Sequence, residues 1–275
     1  MNRMIFVALV LSASISLLLQ AQGNATGECS NLVERAFEVA GVNDQIAALP
    51  AQIQSQLETQ LQRDSKLGDA EKQKVAGIFN TAFLPDNVGR SIQQEFLKSC
   101  DLEMLRTVIA GLTNPLGEKM RGMEAFVASP QGSRQMAEYA GTLAQRPPAR
   151  ERLILIQRMD NSLGIAGFAV ETLLATFRGL GAAFGGLPTD GSLESSMRTQ
   201  ISEPMHSGIL VSLVFTYREA SDQELTQYIE LYETPAFKRF NDRFKKAFLD
   251  AIAHESQKAG LEMKKLTDAS ATSRK

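Results

Sequence analysis

Apolar residues recur at three- and four-residue steps along most of the chain. Leu32, Val33, Ala36, Phe37 and Ala40 form one such series, and Ile46, Leu49, Ile53 and Leu57 continue it. This spacing lays an apolar stripe along one face and predicts amphipathic helices. Pro50 predicts either a kink or the first turn of a second helix. Residues 67–83 predict another helix, opened by Asp69. The stretch from Pro85 predicts a further one, with Val88, Ile92 and Phe96 on a single face. Beyond Arg150 the helical pattern resumes and runs to Phe177, with an end near Gly179. Sustained two-residue alternation is absent, as are Asn-Gly or Asp-Gly turns between apolar runs. The expected fold is therefore all-α. Only "GILVSLVFTY", residues 208–217, reads equally as strand or helix. It is taken as a buried helix by analogy with residues 87–97.

One phrase occurs three times: Asn114-Pro115, Ser129-Pro130 and Thr234-Pro235, each with a Lys or Arg four residues after the Pro. Asn, Ser and Thr side chains accept hydrogen bonds from free N–H groups at a helix start. Pro suits the first turn, where no N–H is needed, and pushes the residue before it out of helical geometry. The phrase predicts the end of one helix and the start of the next. It is read as structural, not as a binding site.

Pro115 and Pro235 lie 120 positions apart. At that offset Leu105 falls on Leu225, Ile109 on Ile229, Lys119 on Arg239 and Met120 on Phe240. Cys29 falls on Ala149 and Cys100 on Ala220. Two related helical halves follow as an expectation, 24–146 and 147–275, separated by Pro147 and Pro148 and packed through apolar faces into a multi-helix bundle. The small residues Ala149 and Ala220 are expected to meet where the cysteines meet in the first half.

"ELTQYIELYETPAFKR", residues 224–239, and "EMLRTVIAGLTNPLGEK", residues 103–119, resemble the hallmark of an uncharacterised bacterial exported helical domain, a family of unknown function. In the second copy Asn114 replaces the family's Ser or Thr, and Glu103 stands one place early. The resemblance implies export, an all-helical fold and no known enzymatic activity. It carries over no functional residues.

Export is also expected from the N-terminus. Arg3 precedes an apolar run and then small residues, the form of a secretory signal peptide over residues 1–23. Cleavage sites offer themselves after Ala21, Gly23 and Ala25, of which Gly23 is favoured. A retained anchor is the rival reading, but the run is short for a spanning helix. The expected location is the periplasm. Losing Arg3 moves the formal net charge from −2 to −3, which argues against general nucleic-acid binding. Oxidising surroundings favour pairing of the only two cysteines, Cys29 and Cys100. Such a bridge closes a loop worth about 4 kcal/mol in a chain-entropy account.

Candidate chemistry is sparse. "HESQK" at His254 opens like a zinc-protease motif, but Lys258 stands where the second His is required. His206 is the only other histidine. "GLGAAFGGLPTDG", residues 179–191, lacks the Lys-Ser/Thr of a phosphate loop, and no strand precedes it. No nucleophile elbow is present. Glu219, Asp222 and Glu224 suit the positive end of a following helix. No catalytic residue, metal or cofactor is expected. Residues 163–187 are apolar and rich in small side chains, which fits a closely packed core helix. Phe237, Phe240, Phe244 and Phe248 follow helical spacing among Lys and Arg. They face either the core, the preferred reading, or an anionic membrane or partner. The expectation is a non-enzymatic envelope protein that binds a partner protein or a hydrophobic ligand. Peripheral membrane contact through the Phe helix is the alternative, and a hydrolase is the least favoured.

Overall fold

The computed structural model describes residues 27–63, 68–143, 145–183 and 191–272, and every described element is an α-helix. The signal-peptide reading lies outside the described residues. The first half contains α1 (27–39), α2 (Val42–Arg63), α3 (Asp69–Ala82), α4 (Pro85–Lys98), α5 (Leu102–Leu112) and α6 (Pro115–Ala128). After α7 (Pro130–Thr142) come α8 (Arg150–Leu163), α9 (Ile165–Ala183), α10 (Ser192–Thr216), α11 (Asp222–Glu233) and α12 (Pro235–Thr272). The segment 208–217 is helical through Thr216, as the analogy predicts.

At the 120-residue offset several elements coincide, whereas α7 falls inside α12. The offset places the start of α5 on that of α11 and the start of α6 on that of α12. It also places α1 over α8 and α2 over α9. The turns that follow α1 and α8 each carry a left-handed glycine, Gly41 at φ 68° and Gly164 at φ 60°. A side chain at such φ values is strained, so both turns favour glycine. The break between α3 and α4 is bridged in the second half, where α10 runs on through Pro204. Buried positions agree across the repeat: Leu105 with Leu225, Val108 with Tyr228, Met120 with Phe240.

Two local expectations are corrected, that Pro50 opens a helix and that Gly179 ends one. The chain breaks at Ala40–Gly41, and Pro50 lies inside α2. A left-handed glycine stops a helix at once, whereas Pro50 falls in the third turn from Val42. Gly179 does not end its helix, which continues to Ala183. It lies against α12, where a Cβ would stand 2.3 Å from the carbonyl oxygen of Ala253. The two alanines that fall on the cysteines differ in exposure, as the cysteines do. Ala149 is exposed at the start of α8, while Ala220 is buried. Arg152 spans the place instead, donating to the carbonyls of Tyr217 and Ala220 (2.8 Å to Ala220) and pairing with Asp222 at 2.6 Å.

In the first half the corresponding tie is covalent. Cys29, buried in α1, and Cys100, exposed before α5, form a disulfide. Both halves contribute to one hydrophobic core. Phe37, Phe96 and Phe240 meet there, with ring centroids 4.9 Å apart for Phe37–Phe96 and 5.3 Å for Phe96–Phe240. Helix α12 runs along both halves and packs most extensively on α9.

Candidate functional site

The Pro phrases position the seam between the halves. The Asn114 side chain accepts from the Gly117 N–H at 2.8 Å, and the Ser129 hydroxyl accepts from Gly132 N–H at 3.0 Å. Thr234 differs. Its hydroxyl donates backward to the Leu231 carbonyl at 2.8 Å, serving the end of α11. Terminal carbonyls of a helix lack intrahelical donors. Thr113 supplies that donor at the first phrase, and Ser129 supplies it at the second.

The basic residue of the first and third phrases crosses to the opposite half. Lys119 pairs with Glu224 at 2.6 Å, and Arg239 pairs with Asp101 at 3.3 Å. Each acceptor carboxylate also binds an N–H at its own helix start: Asp101 that of Met104, Glu224 that of Ser221. Lys119, and then the Ser221 backbone, hold the Glu224 carboxyl down at about 2. The two pairs exchange roles across the seam, as contacts do across a two-fold axis. Both are solvent-exposed, so each contributes little to stability.

Between the pairs lies a polar network. Tyr217 and Tyr228 both donate to Glu124 Oε1, at 2.6 Å and 3.0 Å, and the Tyr228 and Tyr232 hydroxyls are 3.2 Å apart. Burial pushes the Glu124 carboxyl upward, and the tyrosine hydrogen bonds oppose that shift only in part. Sequence reasoning missed this network. The i, i+4 spacing of Tyr228 and Tyr232 was its only local trace.

A groove of about 270 Å³ opens beside the network, between α6 and the α10–α11 turn. Lys119, Gly122, Met123, Phe126, Arg218 and Glu219 line it. The Arg218 guanidinium lies 3.9 Å from the centre of the Phe215 ring and 5.6 Å from that of Phe126. Two other grooves occur, one of about 390 Å³ beside Asn43 and Arg90 and one of about 570 Å³ beside Ile154 and Lys238.

The four stripe phenylalanines are buried, Phe237 at 1% and Phe240, Phe244 and Phe248 at 5–7% exposure. The membrane or partner face suggested for them is therefore corrected in favour of the core. Phe237 packs on Tyr232, Phe240 on Phe37 and Phe96, and Phe244 and Phe248 on Phe168. Helix α9 is long and apolar enough to cross a membrane, and its inner face packs on α12.

The histidines lie on different helices, each beside a carboxylate. His206 Nε2 is 3.4 Å from Asp160 Oδ2, and His254 Nδ1 is 3.3 Å from Glu255 Oε1. Among the described residues no group of three or more His, Cys, Asp or Glu side chains could hold a metal ion.

Comparison of the chain with family models, curated proteins and solved structures found no match.

Proposed function

We propose that the chain is an exported, non-enzymatic helical protein that works by binding another protein in the cell envelope. The observation that supports this reading is the character of its concave surfaces. The described grooves are open, lie at helix seams, and mix charged side chains with apolar ones. That mixture suits a protein surface, which brings both kinds of group. Exposed Ile154, Phe177, Leu193 and Leu261, each at 41–57%, add apolar contact area. Export draws its support from the N-terminal sequence pattern and from a cysteine pair suited to an oxidising compartment.

Native mass spectrometry of the protein purified gently from the periplasm tests the reading. The expected result is a protein-sized non-covalent addition that is lost on denaturation. A lipid-sized addition would move the assignment to hydrophobic-ligand carriage. Recovery of the protein in the cytoplasm alone would overturn the export reading.

A further inference from the structure

Helix α10 stands where the first half has two helices. The 120-residue offset puts the end of α3 at Ser202 and the start of α4 at Met205. The break between them, Phe83 and Leu84, falls on Glu203 and Pro204. Helix α10 runs straight across this point, with Pro204 inside it. Proline has no N–H to give to the Gln200 carbonyl, and its ring crowds the turn before it. One turn later Gly208 stands in open space, where a Cβ would meet no atom within 4 Å.

The segment before Pro204, residues 192–203, lacks the anchors of its counterpart. Helix α3 buries Phe79 and Ala82. The matching positions hold Thr199 and Ser202, whose hydroxyls turn back to the Ser195 carbonyl at 3.0 Å and the Arg198 carbonyl at 2.6 Å. The buried residues of α10 begin only at Leu213, and Phe215 packs on Tyr139 with ring centroids 5.4 Å apart. Toward α9 the segment pairs Arg198 with Glu171, and Glu194 with Arg178 at 3.2 Å. These four side chains are 29–46% exposed, and such pairs hold weakly and weaken further in salt.

We propose that residues 192–203 form a lid over α9, hinged at Pro204, which opens as a unit by breaking α10 where α3 and α4 are already separate. A few residues at an element junction suffice for such a hinge. The surface uncovered belongs to a mostly apolar helix. Glu171 and Arg178 are the only charged residues of α9, and closure pairs both with the lid.

Hydrogen exchange of the full chain, resolved by residue, tests the proposal. A helix of about twelve residues is marginal once detached, so opening should expose the lid amides together. Amides 196–203 are expected to share one level of protection, at least about tenfold below that of 209–216. Raising the salt concentration should lower protection of the first group and leave the second unchanged. Pro204→Ala restores the missing N–H and should raise protection of 196–203 about tenfold relative to 209–216. A steady rise of protection from residue 196 inward would indicate simple fraying of the helix end and overturn the proposal. Equal protection of the two groups, or a Pro204→Ala variant that leaves their ratio unchanged, would overturn it as well.

Discussion

Three of the chain's four tyrosines join the Glu124 network, and the carboxyl at its centre carries a pH signature. Burial raises this group above its ordinary value of 4.5, so the folded chain holds the proton more tightly than the unfolded one. Its stabilising contribution is complete below that ordinary value and is lost as pH rises through the folded one. The urea midpoint of the unaltered protein should fall relative to Glu124→Gln as pH rises above the ordinary carboxyl value. Parallel curves for the two proteins would show that Glu124 does not titrate in this way. The cap roles of Asn114 and Ser129 were legible because a cap is a local event, settled within three residues. The Glu124 network was not, since its members meet across 93 and 104 residues of chain. Thr234 shows the same boundary on a smaller scale. Its place at a helix junction could be read, but not which of the two helices its hydroxyl serves.

Helices were legible wherever the apolar period was long, and their ends were less so. Gly179 read as a stop, yet it is a point where α9 lies tightly against α12. Its would-be Cβ meets the Ala253 carbonyl at 2.3 Å and the Ser256 Cβ at 2.6 Å, while one on Gly260 would meet the Ala183 Cβ at 2.7 Å. Glycine in a sequence signals missing side-chain volume, and only the neighbouring helix tells whether a turn or a contact uses the space. Gly179→Ala should therefore destabilise by about 1–3 kcal/mol through overpacking, measured by urea unfolding. A stabilised variant, the usual outcome for Gly→Ala at an open helical site, would mean that the two helices can separate at little cost. The Phe stripe of α12 had two readings for a related reason. Periodicity shows that a face exists, and only packing shows what covers it.

At the scale of the molecule the repeat was legible through its Pro phrases and the disulfide through the presence of only two cysteines. The two halves solve one joint differently, with a disulfide across 71 residues in the first and the Arg152 clamp in the second. Paired Cys29→Ser and Cys100→Ser substitutions should cost about 4 kcal/mol in a chain-entropy account. Denaturant titration checks this, and alkylation of the unaltered protein should detect no free thiol before reduction. The sharing of one core by both halves could not be read from the chain. It depends on α12, whose 38 residues reach about 57 Å at 1.5 Å per residue. That reach has a consequence for biosynthesis. Phe37 and Phe96 pack on Phe240 of α12, so the last helix completes part of the first half's core. Synthesis from the N-terminus delivers this covering helix last, so the shared core is completed by the final element of the chain to be made.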